Sequence, residues 1–320
     1  MRRRGLLAAG LAAPGIAAPG IARAQARAIR VVNAYGAGGT ADIVCRLLFG
    51  RLAERTGQNF VVENRPGGAG TIAAAAVARA PPDGNTLLYD ATAHSVNPAL
   101  FGPRLPYDTQ RDFLPVFLSL VTPNTILGST LFAPRTVPAL IAAAQAAPGT
   151  IDAGTTGIGS AQHITLALFN TMAGVRINHV VYRDAPAARN DMVTGRIQLQ
   201  FSNVPGSVTP FRAGTARVLA HSGQAEVAVL PGVPAIGATL PGFETYEWNG
   251  IFLPAGTPEA TRRRLNAGLN AAAAEPAVAE RLAALGGLLR PNTPEEFAGF
   301  LEGQFALHAR VVREASIRVD

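Results

Sequence analysis

The chain has 320 residues, 48% of them hydrophobic but only 6% aromatic. That length buries a large core and suggests about two domains built from alanine, valine, leucine and isoleucine. Its 28 basic residues are all arginine, set against 21 acidic ones; without lysine, Schiff-base chemistry and a P-loop are excluded.

Arg2, Arg3 and Arg4 open the chain, and residues 5–21 are apolar but broken by Pro14 and Pro19. Ala24, Gln25 and Ala26 supply a small-x-small cleavage pattern. A signal peptide over 1–26, cleaved near Ala26, is therefore predicted, with export to the periplasm by the general or the twin-arginine route. That segment holds four arginines and no acid, so the mature chain carries 24 basic against 21 acidic residues. So mild a balance gives no reason to expect nucleic acid, and Arg262, Arg263 and Arg264 read as a solvated helix face. One cysteine, Cys45, allows no internal disulfide and reads as a small buried hydrophobe.

Residues 29–57 read as a strand, a glycine turn and an amphipathic helix. Ile29, Val31 and Val32 are β-prone, and Gly36, Gly38 and Gly39 turn the backbone with no Cβ in the way. Thr40 is the predicted N-cap, and Asp42 suits the first turn. Val44, Leu48 and Leu52 follow at helical spacing, and Gly57 closes the helix. A helix N-terminus presents unpaired N–H groups and a positive dipole end, so the stretch predicts an anion site made of backbone. Two uses fit. Gly36-x-Gly38-x-x-Ala41 satisfies a dinucleotide fingerprint, with Glu63 at the place of the ribose-binding acid. A solute receptor gripping a carboxylate fits equally.

A strand at 59–63, a helix at 69–80 and a strand at 86–89 complete a β-α-β-α-β start. A polar loop at 90–97 follows, placing His94 and Ser95 at a strand's carboxyl end, where ligands gather in such sheets. Extended runs are predicted at 113–121 and 123–134, then a helix at 137–146. A strand at 151–154, a glycine loop at 155–160 and a helix at 161–173, N-capped by Ser160, repeat the opening device. Strands at 177–182, 197–201 and 217–220 alternate with helices at 185–194 and 204–212. The only tryptophan, Trp248, lies in an apolar run at 243–253. Helices at 258–274, 276–285 and 294–315 end the chain, two of them begun by Thr-Pro. The chain leaves its first unit near 124 and returns near 222. The predicted domains are 27–124 plus 222–320, and 125–221, with two glycine loops facing each other over a cleft. The five histidines lack metal-ligand spacing, and no cofactor is expected beyond the dinucleotide alternative.

Several motifs recur in a fixed order: residues 35–42, YGAGGTAD; 61–70, VVENRPGGAG; 80–84, APPDG; 105–108, LPYD; 157–160, GIGS, with His163; and 253–258, LPAGTP. In this order the sequence resembles the periplasmic substrate-binding proteins of tripartite tricarboxylate transporters, the Bug-type receptors, over nearly the whole mature chain. The resemblance implies a two-domain α/β periplasmic-binding-protein fold, type II-like, with hinged lobes around a central ligand cleft. It implies no catalysis, a small organic carboxylate ligand, delivery to membrane permease subunits, and a monomer. The alternative, an exported oxidoreductase holding a dinucleotide on its glycine loop, gives the second loop no role. The candidate ligand-binding residues are Tyr35, Gly38, Gly39, Thr40, Asp42, His94, Ser95, Thr156, Gly157, Gly159, Ser160, His163, Tyr182, Asn203 and Pro205. Ser202 stands where the family often has aspartate. Loss of that carboxylate favours a second acidic group on the ligand over an ammonium.

Overall fold

The structure, a computed structural model, describes residues 28–287 and 291–319; the predicted signal peptide and its cleavage site lie outside them. The first parallel strands are β1 (Ile29–Asn33), β2 (Phe60–Asn64) and β3 (Thr86–Ala91), linked by α1 (Thr40–Thr56) and α2 (Thr71–Ala78). Beyond α3 (Ala93–Phe101) comes one long strand, β4 (Phe113–Ser129). Then follow α4 (Val137–Ala146), β5 (Asp152–Thr155), α5 (Ala161–Ala173), β6 (Asn178–Val181) and α6 (Ala185–Val193). β7 (Leu199–Asn203), α7 (Val204–Arg212) and β8 (Ala216–His221) lead to β9 (Tyr246–Pro254). Three helices close the chain: α8 (Glu259–Ala273), α9 (Pro276–Ala284) and α10 (Pro294–Glu314).

The strands form two sheets that share β4. Its first part pairs antiparallel with β9, from Phe113 to Pro123, and extends the order β2-β1-β3-β9-β4. From Asn124 onward it pairs with β7 on one edge, and from Thr125 with β8 on the other; β5 and β6 continue beyond β7. Two extended runs predicted around 113–134 are thus one strand. Pro115 is accommodated at a register shift, and Pro123 is the last residue paired to β9. These are places where a missing N–H costs the ladder least.

Residues 90–97 also differ from the expected polar loop: Ala93 begins a helix, and Ala93 through Asn97 are all buried. Their polar groups find partners inside the fold, as where Ser95 Oγ donates to the Thr92 carbonyl at 3.0 Å and Asn97 Nδ2 to the Ala69 carbonyl at 2.9 Å. Polar composition therefore concealed a packed helix. Arg262 is likewise not a solvated charge. Its guanidinium Nε donates to the Pro115 carbonyl at 2.8 Å, tying α8 to β4.

Helix α10 joins the halves. Thr293 and Glu296 form a reciprocal capping box with Pro294 at the first turn, so the helix start is specified locally. Its early face, Phe297 and Leu301, packs with Trp248 and Phe252 of β9. Its late face, Val311 and Val312, packs with Ile164 and Leu168 of α5. Gly250 lets Phe297 approach the sheet: a Cβ there would lie 2.3 Å from Phe297 Cζ. Gly250→Ala should cost about 1–3 kcal/mol by overpacking. Urea unfolding checks this, as a lower midpoint with an unchanged slope.

Candidate functional site

The glycine loop after β1 is held from behind by one carboxylate. Asp42 is buried; its Oδ2 accepts from the Gly38 N–H at 2.9 Å, and its Oδ1 from the Asn64 amide at 2.8 Å. Arg46, one turn on, donates to both oxygens and also reaches Asn64 Oδ1 at 2.7 Å. Burial alone would raise the Asp42 carboxyl. The Gly38 N–H, the Asn64 amide and Arg46 outweigh it and bring the pKa down to about 2. Asp42 therefore shapes the loop, and its oxygens are committed inward.

The helix start itself is left bare. The N-cap is Gly39, with no side-chain cap, and not Thr40, which is the first helical residue. Among the described residues, the N–H groups of Thr40, Ala41 and Asp42 have no hydrogen-bond partner. A threonine at the cap position would have closed one of those donors. Gly38 has φ +80° and open space where a Cβ would stand, so only glycine suits it without strain. Gly39 has an ordinary φ of −76°. Tyr35 borders the loop: its hydroxyl donates to Asp90 Oδ1 at 3.3 Å, and its carbonyl accepts from Asn64.

The second glycine loop is used differently. Ser160 is the N-cap of α5, accepting from His163 N–H at 3.2 Å and donating to the Gly157 carbonyl. Gly157, at φ +123°, faces open space. Gly159, at φ +77°, is buried against α3, where a Cβ would lie 2.8 Å from Leu100. It packs the second glycine loop onto α3. His163 Nδ1 accepts from Gly159 N–H at 3.2 Å, and its ring stacks on His179 at 3.8 Å. Both rings line a 280 Å³ cavity with Ile317. Burial, and next His179, push the His163 pKa down to about 3, so it offers no cation to an anion.

His94 and Ser95 lie inside α3 rather than in a loop, and both are buried. His94 stacks on Phe252 and meets Asp90 at 3.2 Å, while Ser95 Oγ meets His308 Nδ1 at 2.9 Å. Tyr182 gives its hydroxyl to Asp191 at 2.9 Å and packs with the Met192 cluster. Pro205 occupies the first turn of α7 and is half-buried.

Asn203 directly, and Thr156 through Gln162, lead instead to a residue that the sequence did not single out, Glu247 of β9. Its Oε2 accepts from Gln162 Nε2 at 2.6 Å and from Asn203 Nδ2 at 3.1 Å. Gln162 also donates to Asn124 Oδ1 at 3.3 Å and accepts from Thr156 Oγ1 at 3.2 Å. Asn203 additionally caps α7 through the Gly206 N–H. Burial pushes the Glu247 carboxyl above its usual range, against the pull of the two amides. Its charge, after burial and Asp90, also raises the Tyr35 hydroxyl. One of two glutamates in the run 243–253 carries no local signal of this role.

The sequence profile of the tripartite tricarboxylate transporter family receptors matches residues 44–315. The chain belongs to that receptor family. It is 34% identical over 296 residues to a protein of the tcbD–tcbE intergenic region of Pseudomonas sp. strain P51, covering 92% of this chain and 88% of that one. A structure described as a periplasmic transporter is similar at 32% identity with a TM-score of 0.84, covering 93% of this chain and all of that one. Rpa4515 of R. palustris, solved with adipate, is similar at 31% identity and a TM-score of 0.84, over 92% and 99% of the two chains. The receptor shares their two-lobed mixed α/β fold and is not an enzyme. The dinucleotide reading falls with this, and Glu63 is engaged by Arg30 at 2.8 Å and by Arg65.

Asp42→Ala should lower the receptor's stability by about 2 kcal/mol at pH 7, since a buried charged hydrogen-bond network is broken. Because the native pKa lies below the unfolded one, this contribution is complete above about pH 4 in the parent. It fades as pH falls through about 2. Urea titrations of parent and variant at pH 7 and pH 2.5 should therefore show the difference shrinking on acidification.

Proposed function

We propose that the mature receptor works outside the cytoplasm, captures a small organic carboxylate between its two lobes, and passes it to membrane permease subunits of a tripartite tricarboxylate transporter. The observation that carries this reading is the bare N-terminus of α1, with unpartnered N–H groups at Thr40, Ala41 and Asp42 among the described residues. A helix start of that kind, worth about half a positive charge, suits a carboxylate without any basic side chain. Rpa4515, similar over nearly its full length, was solved with a dicarboxylate, adipate. Among the described residues no helix is long and apolar enough to cross a membrane, which accords with a receptor that meets its permease from outside.

The lobes are proposed as 27–124 plus 222–320, and 125–221, moving about the strand crossings near 124 and 222. Thr40, Gly38 and Gly39 would meet one end of the ligand, while Gly157, Gln162 and Asn203 would meet the other. Asp42, His94, Ser95, Gly159 and His163 support the walls.

Native mass spectrometry of the purified mature chain should reveal a co-purified organic acid, and thermal shift against a carboxylate panel should find stabilising ligands. A ligand present at about 100 times its dissociation constant adds about 2.7 kcal/mol. No shift with any organic acid would remove this reading.

A further inference from the structure

The second glycine loop is held between a helix of the first half and a histidine of the second. On one side Gly159 lies against α3, where a Cβ would stand 2.8 Å from Leu100 and 3.4 Å from Val96. On the other side its N–H donates to His163 Nδ1 at 3.2 Å. An imidazole nitrogen that accepts carries no proton, so this bond requires a neutral His163 with its proton on Nε2. His179 of β6 backs that ring, with centroids 3.8 Å apart and planes 16° from parallel. The His179 Nε2 in turn meets Thr155 Oγ1 of β5 at 2.6 Å.

Both rings line the 280 Å³ cavity, together with Asn170 of α5 and with Ala315 and Ile317 of the chain end. Water and protons therefore have a route to them. The elements around the pair carry few charges: Asp152 on β5, Arg176 before β6, and Arg313, Glu314 and Arg318 at the chain end. Asp152 accepts from Asn178, and Arg176 donates to the Pro148 carbonyl. His94 of α3 faces Asp90. Among the described residues, none of these groups forms an ion pair with either ring. A proton taken up here meets no carboxylate to balance it. On His163 Nδ1 it would set one donor against another and break the bond to Gly159. Two charged rings at stacking distance would also repel each other.

We infer that His163 and His179 form an acid-sensitive latch: while both rings are neutral they hold the second glycine loop against α3, and protonation sets the loop free. The latch rests on the loop's own contacts; only its use, a weaker grip on the ligand in acidic surroundings, rests on the proposed receptor. Burial, and next His179, bring His163 down to about 3, and burial brings His179 down to about 4. Rings released to water return to an ordinary value of about 6.5. The opened form therefore gains protons that the closed form refuses as pH falls from about 6.5 to about 4, and opening becomes easier by about tenfold per pH unit for each freed ring. Above about pH 7 the closed form keeps its full advantage.

Hydrogen exchange of the ligand-free mature receptor at pH 7 and pH 5, corrected for the pH dependence of chemical exchange, tests this. Protection of the amides at 155–163 should fall tenfold or more at pH 5, while that of β7 falls less. In the double variant His163→Asn with His179→Phe, the asparagine Oδ1 still accepts from Gly159 and the phenyl ring still stacks, but neither group titrates. There the fall should shrink to about threefold or less. His179→Phe alone should remove about half of it on a logarithmic scale, and serves where the double variant does not fold. Unchanged protection in the parent, or a fall matched by β7, would overturn the latch with no variant needed. So would a folded variant, double or single, that falls as far as the parent. No ligand is present in these measurements, so each of these outcomes leaves the carboxylate reading to its own test.

Discussion

Both sheets take their register from one strand. β4 meets β9 up to Pro123 and β7 from Asn124, so the two lobes are not separately assembled bodies joined by a loose linker. Side chains alternate along a strand. Thr122 and Asn124 therefore share a face, the first opposite Glu247 and the second opposite Asn203. A slip by one residue would turn these groups to the other face. Phe297 against Gly250 and Arg262 against the Pro115 carbonyl lock the first half of β4 and β9 from the side. The chemistry of the cleft thus depends on packing some distance from it.

Within that frame, helix starts are treated in two ways. α4, α5, α6, α7 and α10 are each capped by a side chain, from Thr136, Ser160, Asp184, Asn203 and Thr293. α1, like α2, α3, α8 and α9, is not, although in α1 a threonine lies one position too late to do it. Asp42 binds Gly38, four residues back, and leaves the first-turn donors pointing out of the network. A carboxylate usually stabilises a helix start by facing the dipole; here it also sets the loop conformation. Arg46 neutralises Asp42 from the far side.

Local signals were legible in the sequence wherever local physics decides structure. α4, α5 and α7 run from 137, 161 and 204 as expected, because Thr136, Ser160 and Asn203 cap them and proline or glycine punctuates the chain nearby. Gly57 closes α1 in the left-handed region, as expected. The failures share a different cause. Residues 90–97 looked like a loop because their polar groups find partners inside the fold, Ser95 with His308 across 213 positions. For His163 the sequence left a structural bond and a ligand contact open, because its stack on His179 exists only in three dimensions. Glu247 was invisible for the same reason, since its partners come from 44 and 85 residues away. The fold and the α1 loop are written in local patterns, while the network around Glu247 is written in contacts.

Three carboxylates of the β1–β3–β9 half are balanced in three different ways. Asp42 has its arginine. Asp90 has Tyr35 and His94 as partners, and Glu247 has only amides, among the described residues. Of the three, Glu247 alone among the described residues is balanced by amide dipoles rather than by a cation, a hydroxyl or an imidazole.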